Sequence, residues 1–261
     1  MSLERVTIPC LADNYAFLLK NTETGAVAVI DAPESAPILA ALAERDWTLT
    51  DILLTHHHGD HIDGVPDLRT AFPEARVIGA AADAYRLPPL DLAVTPGDTV
   101  SILDEDVQII DVSGHTIGHI AFYFAQDGSD QAGMAFTGDS LMALGCGRLF
   151  EGSPQMMWES LSRLMALPDE TLICSGHEYT QSNARFAVTI DPDNSKLISR
   201  CEAVGAARAA GEATVPSILG NERATNPFLR ASDPTIRAAL GLAHATDAEV
   251  FAQIRRRKDQ F

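Results

Sequence analysis

Short apolar runs separated by polar or glycine-containing links set the texture of the first two-thirds of the chain. Residues 6–8, 16–19 and 27–30 read as strands, and Asp31 ends the third. Residues 38–45, rich in alanine and leucine, carry a helical period. A buried strand at 51–54 follows, then a helix reaching Phe72 and a strand at 77–79, with Leu87-Pro88-Pro89 as a connection. Further strands are expected at 107–112, 120–124 and 134–137, the last two joined by the polar turn Gln126-Asp127-Gly128-Ser129-Asp130. A helix at 156–166 and a final strand at 171–174 complete this part. After Gly176, helical patterns take over at 180–190, 194–210, 233–240 and 247–258. The last opens with Thr246-Asp247-Ala248-Glu249, a capping-box pattern. The pattern predicts a strand-rich α/β body and a helical tail meeting near His177, without short-period repeats.

Composition narrows the partners. Lysine and arginine number 19 against 36 aspartates and glutamates, a net charge of -17. Nucleic acid and anionic membranes are poor general partners for such a chain. The charge is uneven: residues 1–177 hold 8 cationic against 26 acidic side chains, and residues 178–261 hold 11 against 10. Cys10, Cys146, Cys174 and Cys201 are far apart and form no framework, as expected for reduced thiols. The amino end shows no signal-peptide pattern, and no apolar run approaches the roughly 18 residues of a membrane span. The expectation is a soluble, cytoplasmic protein.

The chemistry gathers after the strand at 51–54. Thr55-His56-His57-His58-Gly59-Asp60-His61 places four histidines and a carboxylate within six consecutive residues. Neutral imidazoles add little solubility, whereas imidazole nitrogen and carboxylate oxygen are the donors that Zn, Fe or Mn accept. In an extended segment His56 and His58 point one way and His57 the other, so the outer pair chelates one ion and His57 is a spacer. Asp60 and His61, opening a turn or helix, face elsewhere and suggest a second ion.

Three further residues stand, like His56, just past an apolar strand. His115, Asp139 and His177 each follow a glycine, which permits a sharp turn. Singly, each is more simply a hydrogen-bonded turn residue. Together with the histidine cluster they read as ligands, and a carboxylate such as Asp139 can bridge two cations.

In this order, with Gly138 before Asp139, these residues resemble the metallo-β-lactamase superfamily across roughly residues 5–177. More narrowly, the chain resembles the glyoxalase II (hydroxyacylglutathione hydrolase) branch. The narrower likeness rests on Pro9-Cys10-Leu11-Ala12-Asp13-Asn14-Tyr15, Gly114-His115-Thr116-Ile117-Gly118-His119 and Gly145-Cys146-Gly147-Arg148. It extends to Gly176-His177-Glu178-Tyr179-Thr180, Asn226-Pro227-Phe228-Leu229-Arg230 and the terminal Arg255-Arg256-Arg257-Lys258-Asp259-Gln260-Phe261. The resemblance implies an αββα sandwich with a metal pair at one edge and a C-terminal α-helical domain. Residues 1–177 would form the metal-binding catalytic domain and residues 178–261 a glutathione-binding domain.

Carried over by position, the resemblance implies His56, His58 and His115 on one ion and Asp60, His61 and His177 on the other, with Asp139 bridging. Two divalent ions are implied, zinc foremost, with iron or manganese as alternatives. They lower the pKa of bound water from ~15.7 toward ~7, so a nucleophile exists at neutral pH. Asp60 and Asp139 would be the catalytic carboxylates. The implied reaction is hydrolysis of S-(2-hydroxyacyl)glutathione, S-D-lactoylglutathione giving D-lactate and glutathione, the second step of methylglyoxal detoxification. Arg148, Phe150, His177, Tyr179, Arg255 and Lys258 fall at substrate-binding positions, and the protein is expected to act as a monomer. Phe150 stands where many members have tyrosine and Arg148 where lysine is common, departures that bear on affinity more than on reaction type. Without the resemblance, residues 255–258 would be a solvated helix end favoured by the helix dipole.

His119 is expected to support the site by hydrogen bonding, His244 to lie on the surface, Cys174 to be core, and Cys146 carries no mark of a nucleophile. Competing readings are a persulfide dioxygenase, lactonase or β-lactamase on the same body, or a binding protein that has lost catalysis. A dioxygenase needs only a three-residue iron site, and a decayed site should lack ligands. The complete set of seven speaks against both.

Overall fold

The computed structural model describes residues 3–126 and 132–261. Apart from Gln126, the polar turn expected at 126–130 lies outside the described residues, as do Met1 and Ser2. The chain divides into two compact units, one of Met1–Asp111 with Gly118–Gly138, the other of Val112–Ile117 with Asp139–Phe261. This division cuts the chain after Gly138, whereas the change of texture in the sequence falls near His177.

The first unit is built on two sheets. β1 (Leu3–Cys10), β2 (Asn14–Asn21) and β3 (Val27–Ile30) pair antiparallel in order. After helix α1 (Ser35–Arg45), β4 (Asp51–Leu53) lies parallel to β3. Two short helices, α2 (Gly59–Ile62) and α3 (Val65–Ala71), lead to β5 (Arg76–Ala80) and then β6 (Leu92–Val94), both again parallel to their neighbours. The second sheet contains the antiparallel meander β7 (Thr99–Ile102), β8 (Glu105–Asp111), β9 (Ile120–Phe124) and β10 (Met134–Gly138).

Strand β2 explains why the pattern here is a continuous apolar run and not an alternation. Ala16 and Leu18 join the core formed with Ile38, Leu42 and Leu68 of the helices. Phe17, on the opposite face, meets Phe136 of β10 edge-on at 5.4 Å. Both faces of the strand are therefore buried. Each such phenylalanine contributes about 1.5–3 kcal/mol through removal from water.

The second unit opens with the two-residue strands β11 (Leu141–Met142) and β12 (Gly145–Cys146), which pair as a hairpin. Helix α4 (Pro154–Met165) starts on a Ser153 cap with proline at its first position. β13 (Leu172–Ser175), expected as the final strand, pairs with a later one, β14 (Ser217–Ile218). Two residues of alternation are too few to announce a strand. Helices α5 (Thr180–Ile190), α6 (Ser195–Ala209), α7 (Leu219–Thr225), α8 (Pro234–Leu240) and α9 (Asp247–Asp259) make up the rest. The capping box read at Thr246 and Glu249 is formed in both directions. Among the described residues, no helix is long and apolar enough to cross a membrane.

Candidate metal centre

Strands β3 and β4 end side by side, and their continuations carry the first group of ligand candidates. Asp31, directly after β3, adopts a left-handed conformation with φ 56° and is 3% exposed. Its carboxylate accepts the Thr55 backbone N–H and hydroxyl, each at 2.9 Å, and Nδ1–H of His61 at 2.8 Å. Having donated to Asp31, the Thr55 oxygen can accept from His56 Nδ1, 3.0 Å away. These bonds assign the ring protons of His56 and His61 to Nδ1 and leave Nε2 basic, the tautomer a metal requires.

The basic nitrogens then converge within this unit. His56 Nε2 is 3.2 Å from His58 Nδ1. Two ligands at about 2.1 Å from one ion would stand roughly 3.0–3.4 Å apart. The ligand atoms of His56 and His61, and of Asp60 and His61, also lie within 4.8 Å of each other. Asn14 donates to both the backbone oxygen (2.9 Å) and Oδ2 (3.1 Å) of Asp60, fixing that carboxylate. His119 stacks on His56, its ring 4.5 Å away at 12°, and its Nδ1 bonds the carbonyl of Ile120. His57, expected to be a bare spacer, is instead held by Asp83, Nδ1 to Oδ2 3.1 Å.

In the second unit, Asp139 Oδ2 lies 3.4 Å from His115 Nε2 and 3.3 Å from His177 Nε2. His115 donates its other ring nitrogen to the carbonyl of Arg148 at 2.7 Å, so here too Nε2 is the basic one. All three residues are buried. Of the glycines preceding them, Gly114 and Gly138 adopt positive φ, 145° and 47°. At Gly138 a Cβ would approach Thr55 Oγ1 to 2.5 Å, so no larger residue fits that turn. The donors in both units suit a divalent metal: imidazole and carboxylate only, with the outer nitrogens of His56, His61 and His115 occupied by fixed acceptors.

The residues expected to meet substrate all lie in the second unit. Tyr179 stacks on His177 at 4.6 Å and 9°, and Phe150 meets His115 edge-on at 5.2 Å. Both rings are partly exposed. Arg148 is exposed, with Nε 3.6 Å from Asp259. Arg255, by contrast, is buried: it donates to the carbonyl of Cys146 at 2.9 Å and to Asp259 at 3.0 Å, over the face of Phe228. Half-buried Lys258 reaches the carbonyl and hydroxyl of Ser182 at 3.3 and 3.4 Å. Burial, with Arg255 and Arg185 adding repulsion, pushes its ammonium down to about 8. Burial pushes the Cys146 thiol up to about 11, which removes it as a nucleophile near neutral pH. Cys174 is core, His244 is exposed, and all four cysteines are free.

Asp31, Thr55, Asn14 and Asp83 are site residues that the sequence pattern did not single out. Asp31 had a signature like that of His115, Asp139 and His177, a polar residue just past an apolar strand. Thr55 also directly follows the buried run 51–54 and Asn14 lies in the motif at residues 9–15, but neither was read as a site residue; Asp83 has no comparable mark.

Residues 13–177 match the model of the metallo-beta-lactamase superfamily, and residues 178–261 that of the hydroxyacylglutathione hydrolase C-terminus. A hydroxyacylglutathione hydrolase of Cereibacter sphaeroides is 63% identical over 261 residues, covering 100% of both chains. The chain belongs to the hydroxyacylglutathione hydrolase family. Its fold is that of the metallo-β-lactamases, an α/β sandwich with a C-terminal helical region. The family's body is shared with the crystal structure of ETHE1 from Myxococcus xanthus, 25% identical with a TM-score of 0.67, covering 98% of this chain and 90% of that one. It is shared also with TTHA1623, solved in a di-iron-bound form, 26% identical with a TM-score of 0.59, covering 87% and 100%. Membership in this family, with these donors, marks the chain as a binder of divalent metal.

Proposed function

We propose that the protein hydrolyses S-(2-hydroxyacyl)glutathione thioesters, with S-D-lactoylglutathione as the expected substrate, giving D-lactate and glutathione. The observation that carries this reading is Asp139 Oδ2, flanked at 3.4 and 3.3 Å by the Nε2 atoms of His115 and His177. A carboxylate oxygen so placed suits a bridge between two cations. His56, His58 and His115 would hold one divalent ion and Asp60, His61 and His177 the other, with Asp139 shared. Zinc is the first candidate, with iron or manganese as alternatives; the di-iron form of TTHA1623 keeps iron in view. When bound, such ions acidify water toward neutrality and polarise a thioester carbonyl.

The chain's own residues supply the rest. Asp31, Thr55 and the Arg148 carbonyl lock three histidines in the required tautomer, so little reorganisation accompanies reaction. Asp60 and Asp139 would be the catalytic carboxylates and would offer sites for the proton released from water. The leaving thiolate, from a thiol of pKa about 8.5, needs no strong general acid. An acidic body repels a substrate with two carboxylates, and the cations of residues 178–261 offset this locally. Lys258, Arg148 and Arg255 would face the glutathione carboxylates, with Tyr179 and Phe150 beside the acyl-bearing part. Residues 1–177 would thus carry the chemistry and residues 178–261 the glutathione. Free cysteines fit a reducing compartment, and we place the enzyme in the cytoplasm as a monomer.

Seven ligands and the family tail favour this reading over a dioxygenase, for which three ligands suffice. The test is hydrolysis of S-D-lactoylglutathione by the purified protein as isolated, after chelation and after metal restoration. Turnover that vanishes and returns with metal is expected. A protein with two metals bound and no turnover would overturn the substrate assignment and direct assays to persulfides and lactones.

A further inference from the structure

Asp83 ends the 3-10 turn Ala81–Asp83, which follows β5, the parallel neighbour of the strand that leads into the histidine cluster. It is 1% exposed, an unusual place for a carboxylate. Arg86 pairs with it at 2.5 Å and offsets its charge. Two arms of the ligand region converge on the same carboxylate. One is His57, bonded at 3.1 Å and lying between the ligand candidates His56 and His58. The other is the loop at Gly118, packed so closely that a Cβ there would stand 2.2 Å from Asp83 Cγ. The next residue, His119, lies flat on His56. None of these contacts involves Asp60 or His61, which are fixed by Asn14 and Asp31.

We propose that Asp83 is a positioning residue for one metal position only, the one that takes His56 and His58. It fixes the backbone between the two ligands through His57 and the ring beneath His56 through Gly118. Asp31, by contrast, reaches both positions, orienting His61 directly and His56 through Thr55. Of the two buried aspartates, Asp83 alone bears on a single position. The inference rests on the two-metal reading of the preceding section.

The test is stepwise removal of metal from the full-length holoprotein with a chromophoric chelator, counting ions at each stage by elemental analysis. Asp83→Asn should weaken one of the two ions by about 10- to 100-fold and leave the other at its wild-type affinity. Asp31→Asn, which bears on His61 and through Thr55 on His56, should weaken both ions. His57→Gln, which leaves the Asp83–Arg86 pair in place, should reproduce the Asp83→Asn effect and guards against a folding defect in that variant. The melting temperature of metal-free protein should be unchanged in His57→Gln, which separates positioning from bulk stability. The proposal fails if folded Asp83→Asn and His57→Gln retain both ions at wild-type affinity, or if both ions weaken equally. Wild-type protein that binds no metal would instead overturn the two-metal reading itself.

Discussion

Asp31 Oδ2 holds His61 Nδ1 at 2.8 Å, and neither side chain is open to solvent. The bond puts a buried negative charge behind a ring whose other nitrogen is a ligand candidate. It fixes the ring's orientation and tautomer and raises its basicity. Asp31→Ala removes all three effects, and Asp31→Asn removes the charge while keeping the shape. Both variants should bind metal about 10- to 100-fold more weakly. Competition with a chromophoric chelator measures this directly. Wild-type affinity in both would reduce Asp31 to a turn residue.

Asp139 presents a different case, because one oxygen serves two histidines. If it is shared by two ions, its loss cannot be confined to one of them. Asp139→Ala should therefore lower bound metal and turnover together. Elemental analysis alongside steady-state rates gives the comparison. A metal-replete, fully active Asp139→Ala protein would remove the residue from the site.

The ligand candidates were legible because each follows an apolar strand, and a strand that stops being core at a His or Asp is a visible break in pattern. Asp31 carried the same break after residues 27–30 and was read only as a strand end. Helix α5 was legible to the residue through its sustained helical period, and β9 as an unbroken apolar run between polar links. β11, β12 and β14 were not, because two residues establish no period and their pairing is decided by the fold around them. Asp83 was hidden for another reason. Its partners in the ligand region are 26 and 35 positions away in the chain, and its local pairing with Arg86 does not distinguish it from the exposed carboxylates of an acidic body.

Arg255 and Lys258 are neighbours on one helix with different environments. Arg255 is 6% exposed and ties the carbonyl of Cys146 to the last helix. Arg255→Ala leaves that buried carbonyl unsatisfied, a loss of order 1–3 kcal/mol. Denaturant unfolding should show it as a lower midpoint, with any rise in KM accompanied by that loss. A variant as stable as wild type with KM alone raised would show that the guanidinium is given over to substrate. Changing both residues to alanine should raise KM chiefly, and a fall in kcat with KM intact would contradict the binding assignment.

Lys258 gives the sharper probe, since its ammonium is pushed down to about 8 by burial and by Arg255 and Arg185. The substrate carboxylates stay ionised through this range, so their attraction to Lys258 follows the lysine proton. Below about pH 8 the free enzyme presents a cation, and as pH rises through that value the charge is lost. KM should therefore be flat at neutral pH and climb on the alkaline side, then level off once the proton is lost from the complex as well. Lys258→Ala should give a KM already high at neutral pH and independent of pH there. Lys258→Arg, which keeps its charge far above this range, should hold KM low and flat. Steady-state kinetics from about pH 6.5 to about pH 9.5 distinguish the three. An alkaline rise in KM that persists unchanged in Lys258→Arg would assign the titration to another group and detach Lys258 from substrate binding.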